Sequence, residues 1–388
     1  MTSAALHAVL HLVEQFKRHR DDYMTSRGTS AANSGANSGA HSGGGQYNET
    51  QLRRDYLDPL FKALGWDIDN EKGFAEAYRE VVHEDAIKIG GTTKAPDYSF
   101  RIGGQRKFFV EAKKPSVNLK DDPAPALQLR RYAWTAKLHV SILSDFDEFA
   151  IYDCRKPPKP TDKAHTARLD YFTFDQLEAK WPELVALFSP QAIQQGAFDK
   201  YATSKRTRGT ADVDDVFLDQ LETWRQDLAK HLIRQNPPPN SLTQRQLNHA
   251  VQLIIDRIVF LRICEDRGIE PAGQLLALTN GSKVYDRLNQ IFRGADAKYN
   301  SGLFHFEPEP GRDADPDTLT PSLAVGDKPL KDILKALYPP ESPYEFSVLP
   351  ADILGQVYER LLGSVISHPP TGKTSQIEQN PEVLQPPG

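Results

Sequence analysis

Cysteine is nearly absent. Cys154 and Cys264 are the only two in 388 residues, far apart and in no Cys-x-x-Cys pattern. That excludes a disulfide framework and a cysteine zinc site, and it suits a reducing compartment. Long apolar runs are missing too: no stretch approaches the ~18 apolar residues that a membrane-spanning helix needs. The opening "AALHAVLHLVEQFKRH" is no secretory leader, because its charges follow the apolar stretch and no small-residue cleavage site closes it. Its Leu6, Val9, Leu10, Val13 and Phe16 recur at helical spacing and predict an amphipathic helix over residues 1–24. A large excess of one charge is also lacking. A net charge of −5 rules out a chain that binds polyanions over its whole surface, so any nucleic-acid site is a local patch. With 39% hydrophobic and 26% charged residues the chain can bury ordinary cores, and its length suits two or three domains. The expected location is the cytoplasm.

Residues 25–46 hold "TSRGTSAANSGANSGAHSGGGQ", in which an Ala-Asn/His-Ser-Gly unit recurs. Such a segment has almost nothing to bury against its ordering entropy and reads as a flexible linker. Order is expected to resume at "NETQLRRDYLDPLFKALGWDI". Asn48 and Gln51 form a capping-box pair, Leu52, Tyr56, Leu60 and Leu64 form a stripe, and Gly65 ends the helix. Strands are expected at 77–83, 95–102, 107–113, 138–144 and 148–153, with one helix over about 124–137. This order indicates a mixed-sheet α/β domain over residues 47–190. The remainder is helical in pattern at about 212–235, 242–267, 281–292 and 349–366, an all-α domain over 191–367. In the second of these segments Leu247, Val251, Ile254, Ile258 and Leu261 line one face, and Gly268 supplies the stop. Residues 368–388 show no periodicity and read as a disordered connector.

The chemistry concentrates in "PDYSFRIGGQRKFFVEAKKP", residues 96–115. Asp97 and Glu111 lie symmetrically about Gly104. If that register holds, they face each other on neighbouring strands with Cβ atoms ~5 Å apart, and Lys113, two residues past Glu111, shares their face. A two-residue Gly103-Gly104 turn alone would shift the register by one and send Asp97 to the other face, so an odd-length loop or a bulge is expected. Two converging carboxylates with no arginine partner make a poor structural motif, since like charges repel. They make a good site for Mg²⁺, which takes a few carboxylate oxygens and otherwise keeps water or phosphate. A lysine beside them can assist an attacking water and stabilise charge growing on a phosphate. An Asp…Glu-x-Lys string is common. Here Pro96, the Gly-Gly hairpin, the apolar "KFFV" lead-in and the helix that follows set it apart.

These residues resemble the PD-(D/E)xK nuclease superfamily. The following "PALQLRRYAWTAKLHVSILSDFDEFAIYD" resembles more narrowly the N-terminal endonuclease domain of type IIG restriction enzymes, where nuclease, helical connector and N6-adenine methyltransferase share one polypeptide. "DRIVFLRICEDRGIE", "YNSGLF" and "LPADILGQVYERLLGSVI" resemble that connector and the helix leading into the methyltransferase. The resemblance spans roughly residues 47–388 and leaves the N-terminal helix and linker without a family role. It implies a restriction-endonuclease-like α/β fold followed by an all-α domain. Asp97 and Glu111 would bind Mg²⁺, with the Ala112 carbonyl as a further ligand, and Lys113 would complete the catalytic trio. Gln128 and Tyr132, one helical turn apart in "QLRRY", match the helix that packs beside the site. Glu49 matches a further acidic position near the metal.

Two look-alike motifs carry little. "NPPP" at Asn236–Pro239 lacks the aromatic residue of an adenine-holding methyltransferase motif and lies between two helical segments, so it reads as an inter-helix turn. "TGKT" at Thr371–Thr374 has Ser367 where a phosphate-binding loop needs glycine. No S-adenosylmethionine loop is present. The family's methyltransferase would begin after Gly388, so the chain is expected to be a fragment, with its methyltransferase and target-recognition parts supplied in cis or trans. Glu265-Asp266-Arg267 reads as a structural salt-bridge network at a helix end. Between Asp97 and Lys137, nine basic side chains outnumber four acidic ones, a local +5. Lys114, Arg130 and Arg131 are the expected phosphate contacts to double-stranded DNA, with affinity that falls steeply in salt. The sequence thus predicts an Mg²⁺-dependent DNA endonuclease portion of a restriction–modification enzyme, able to form a transient homodimer on DNA. The alternative is a DNA- or partner-binding module without catalysis.

Overall fold

The structure, a computed structural model, describes residues 3–24, 47–83, 88–89, 92–93, 95–198, 200, 211–299, 301–308, 315–350, 364–367 and 376–379, with isolated positions between 353 and 360. The expected linker at 25–46 and the "TGKT" of 371–374 lie outside these residues. The chain divides into two compact units, one of residues 1–86 and 95–211, the other of 87–94 and 212–388. The sequence suggests a division at 190. The structure sets it later because Ile193, in α5 (Pro190–Gln194), and Phe198 are buried in the core of the first unit.

In the first unit, helix α1 (Ser3–Met24) buries Val9, Leu12 and Phe16 in the core, and Arg20 clamps Asp147 through two hydrogen bonds of 2.5 and 3.1 Å. Helix α2 follows as Glu49–Leu52, a π-helical turn Arg53–Leu57 and Asp58–Ala63. Its capping box is present: Gln51 N–H donates to Asn48 Oδ1, and Asn48 N–H donates to Gln51 Oε1, both at 2.9 Å. Leu52, Tyr56, Leu60 and Leu64 are all buried. Their spacing of four residues would drift around an ideal helix of 3.6 residues per turn, and the wide π turn takes up that drift.

A six-stranded mixed sheet runs in the order β1 (Val81–His83), β2 (Tyr98–Ile102), β3 (Gln105–Ala112), β4 (Val140–Ser144), β5 (Glu148–Asp153) and β6 (Arg168–Thr173). Only β3 and β4 are parallel, and helix α3 (Pro123–Thr135) makes the crossover between them. Helix α4 (Leu177–Phe188) follows the sheet. The first expected strand is shorter than its sequence pattern, because Glu76–Tyr78 winds into a 3₁₀ turn. Strand β6 was not legible: "RLDYFT" is half-buried along most of its length and lacks clean alternation.

The second unit is mainly helical. Helices α6 (Val213–Gln235) and α7 (Gln244–Asp266) lie at the expected positions, with α8 (Val284–Tyr299) and α9 (Asp327–Ala336) after them. The expected face of α7 is buried throughout, from Leu247 to Leu261. Asn236 ends α6 and exchanges hydrogen bonds of 3.0 and 3.1 Å with the Ala324 main chain, which suits a structural turn. The Glu265 and Asp266 acids are buried; Asp266 pairs with Arg262, one turn earlier, at 2.5 Å, while Arg267 donates to the Leu349 carbonyl at 3.4 Å. One expectation fails at the end of the helical domain. Ser364–Ser367 is not helical but pairs antiparallel with Gln376–Gln379, inside the region expected to be a connector. The Asn248 side chain exchanges hydrogen bonds of 2.8 and 2.9 Å with the Ile366 main chain, a tertiary contact that local periodicity does not reveal.

Candidate active site

The β2–β3 hairpin closes through Gly103 and Gly104, both at positive φ, 60° and 79°. Such a two-residue turn matches the twist of the strands. Gly104 is sterically required as well, since a Cβ there would stand 2.9 Å from the Ala77 carbonyl oxygen. Near the turn Ile102 pairs with Gln105 and Arg101 with Arg106. Between Phe100 and Arg101 the register shifts, and beyond it Phe100 pairs with Phe108 and Tyr98 with Val110. Lys107 is the extra residue of this bulge. The shift by one restores the register that, continued one residue past Tyr98 and Val110, sets Asp97 opposite Glu111, so the expected bulge is present. Phe108, Phe109 and Val110 are fully buried and pin β3 in the sheet up to the site.

Glu111 is only 2% exposed. Its Oε1 accepts from Lys113 Nζ at 2.5 Å and from Gln128 Nε2 at 2.6 Å. Gln128 reaches it from α3, whose start is fixed by the Asp122 cap on the Ala124 N–H at 2.9 Å. The other oxygen, Oε2, is buried and has no hydrogen-bond partner. Asp97 Oδ2 accepts from the Ala112 N–H at 2.7 Å, and Oδ1 from Arg53 Nη1 at 3.2 Å. Glu49, at the first turn of α2, lies close enough to Asp97 for the two carboxyls to influence each other's charge. Burial, then the charge of Asp97, push the Glu111 carboxyl up to about 8, although Lys113 pulls the other way. Glu49 is pushed up to about 7 by the same two causes in the same order. Burial depresses the Lys113 ammonium, but Glu111, Glu49 and Asp97 outweigh it and the net shift is upward.

The fold therefore gathers Asp97, Glu111, Lys113, Gln128 and Glu49, and it seats Ala112 on the same strand. Tyr132 lies one turn beyond Gln128, buried within the unit. Two corrections follow. Asp97 does have an arginine partner, Arg53, which "ETQLRR" places one helical turn after Glu49. Arg130 is not a surface contact: it is 1% exposed and bound to Asp162 at 2.7 Å, so it is unavailable to a phosphate. Lys114 is exposed and Arg131 half-buried.

The donor set fits a hard divalent cation. A buried carboxylate oxygen with no partner is costly unless something positive meets it. Among the described residues no three acidic, histidine or cysteine side chains converge as a complete ligand cage. A cation here would use Asp97 and Glu111 and leave other positions to water or phosphate, as Mg²⁺ tolerates.

Residues 76–160, which include Asp97, Glu111, Lys113, Gln128 and Tyr132, match the family model for the type I restriction enzyme R protein N terminus. Over 324 residues, 83% of its length, the chain is 40% identical to the type II restriction enzyme and methyltransferase RM.Eco57I of Escherichia coli. Most of the chain is thus similar to part of a protein named as both a restriction enzyme and a methyltransferase. The chain spans 31% of the length of that relative. A solved structure, the type IIG restriction endonuclease BpuSI, aligns with 80% of this chain and 31% of its own at 13% identity; the TM-score of 0.23 is too low to carry weight. The family-model match begins after α2, so Glu49 and Arg53 lie outside it. No helix among the described residues is long and apolar enough to cross a membrane.

Proposed function

We propose that the first unit is the DNA-cleaving part of a restriction–modification enzyme, hydrolysing phosphodiester bonds with Mg²⁺ as cofactor. The observation that carries this reading is the unpartnered, buried Oε2 of Glu111 beside Asp97, with Lys113 and Gln128 holding the opposite oxygen. Asp97 and Glu111 would hold the cation, with the Ala112 carbonyl as a third donor. Bound there, it would polarise the scissile phosphate and stabilise charge developing on it. The chain's own groups do the rest. Lys113, kept protonated by its acidic neighbours, offers a positive charge to the phosphate and orients the attacking water. Gln128 holds one oxygen of the Glu111 carboxylate and leaves the other without a hydrogen-bond partner. Lys114 and Arg131 would meet the DNA backbone. The kinship to a restriction enzyme and methyltransferase supports double-stranded DNA as substrate and an adenine methyltransferase as the partner activity of the whole polypeptide.

Incubating the purified chain with supercoiled plasmid in Mg²⁺ or EDTA, beside Lys113→Ala, tests the reading. The expected result is nicking that needs Mg²⁺ and is lost in the variant. A folded wild-type chain that binds plasmid yet never nicks it, even with the rest of the polypeptide added back, would favour the non-catalytic binding module.

A further inference from the structure

Arg53 is fixed more firmly than a surface arginine needs to be. The residue is 8% exposed. Nη1 donates to Asp97 Oδ1 at 3.2 Å and Nη2 to the Asp97 carbonyl at 3.1 Å. Nη2 also lies 3.2 Å from His83 Nδ1, and the guanidinium carbon stands 4.7 Å from the centre of the Tyr98 ring. Tyr98 is tied in turn to Asp58 at 2.7 Å. Glu49, Arg53 and Asp58 all belong to α2, and the π-helical turn Arg53–Leu57 lies between the segments that carry Glu49 and Asp58. Turns of this kind re-aim side chains and recur at functional sites.

A permanent positive charge bound to a carboxylate that is to hold a second cation has two opposed effects. It orients the carboxylate, which favours the cation, and it repels the cation directly. The repulsion dominates. A unit charge hydrogen-bonded to a ligating carboxylate acts on a doubly charged ion through little water, whereas a single orienting hydrogen bond contributes modestly. Asp97 also keeps its second anchor, the Ala112 N–H, whether or not Arg53 is present. Even with every group ionised, which burial opposes for Glu49 and Glu111, the three carboxylates Glu49, Asp97 and Glu111 exceed Lys113 and Arg53 by only a single negative charge. That is a weak trap for a free divalent ion, and a DNA phosphate would add the missing negative charge.

We propose that Arg53 holds down the affinity of the carboxylate cluster for a free divalent cation, so that cation and phosphodiester are retained together. This rests on the reading of the cluster as a cation-dependent nuclease site. The protein off DNA then carries little metal, and the substrate itself completes the site. Arg53 is a positioning and charge-setting residue, distinct from the groups that touch the reacting atoms.

The test is Mn²⁺ binding to the full chain without DNA at pH 8, followed by the electron paramagnetic resonance of free Mn²⁺. Far-UV circular dichroism and melting in EDTA check the fold of each variant. Arg53→Met removes the charge and keeps much of the packing; it is expected to bind Mn²⁺ about ten-fold tighter than wild type, or more. Arg53→Lys keeps the charge and loses the planar fork; it is expected to stay within about two-fold of wild type. Unchanged or weaker binding by a folded Arg53→Met overturns the proposal, because Arg53 then merely orients Asp97. Glu111→Gln, made in wild type and in Arg53→Met, guards the premise: binding that survives it overturns the cation site itself, a different failure. If Arg53→Met does not fold, Arg53→Gln gives the same comparison.

Discussion

A carboxyl buried beside another carboxylate keeps its proton, and both Glu111 and Glu49 are pushed above the ordinary glutamate value of 4.5. The folded chain thus binds those protons more tightly than the unfolded chain does. Their contribution to stability is full below about pH 4.5 and is lost as pH rises through about 7 for Glu49 and about 8 for Glu111. Without divalent cation, thermal unfolding should show stability falling between pH 5 and 8. Glu111→Gln should flatten that slope and stabilise the cation-free protein at pH 8 by ~2 kcal/mol. The same substitution should abolish nicking, so stability and activity move in opposite directions. Added Mg²⁺ should raise the melting temperature of the wild type more at pH 8.5 than at pH 6, because it needs the ionised carboxylates. Equal shifts at the two pH values would argue against binding at this cluster. At this scale the trio Asp97, Glu111 and Lys113 was legible because turn, register and residue type lie within one short hairpin. Arg53 was not, because an arginine in "ETQLRRDYL" looks like any exposed helix residue until the helix is packed.

The elements set the geometry that these residues use. The Gly-Gly turn fixes one register, and the bulge at Lys107 converts it to the one the site needs. Gly104→Ala meets both a positive φ and the Ala77 carbonyl. It should cost ~1–3 kcal/mol in urea unfolding and should lower nicking more than it lowers DNA binding. Helix α3 carries residues of two kinds that its sequence does not separate. Gln128 meets Glu111, while Arg130 turns inward to Asp162. Arg130→Ala should therefore destabilise the protein by on the order of 3 kcal/mol, with the salt dependence of DNA binding unchanged in a folded sample. Lys114→Ala should do the reverse, leaving stability intact and lowering the slope of log affinity against log salt by about one. Helices and strands with strong periodicity, α7 and β3 above all, were readable. The half-buried β6, the π turn of α2 and the late Ser364–Ser367 ladder were not, since packing rather than local pattern decides them.

For the whole molecule, charge and division of labour matter most. The net charge of −5 is an average over a chain whose segment 97–137 holds more basic than acidic residues, exposed Lys114 among them, so DNA affinity should fall in moderate salt. The first unit has its own core, which takes in α1, α2, the sheet and α4. Residues 1–211 expressed alone should therefore unfold cooperatively in a calorimeter. They should also keep the Mn²⁺ affinity of the full chain, because every group of the cluster lies within them. A fragment that melts without cooperativity, or that loses Mn²⁺ binding, would show that the second unit is needed to complete the site.

By itself the sequence determined the hairpin that carries Asp97, Glu111 and Lys113, the need for a bulge, the α/β-then-α order and the main helices. Each of these follows from short-range periodicity, turn chemistry and the two-residue repeat of a strand. Only the tertiary structure decided that Arg53 from α2 pairs with Asp97, that Arg130 is internal, and that one oxygen of Glu111 is buried without a partner. Those facts depend on which elements meet, and burial and charge pairing between distant segments leave no periodic trace along the chain.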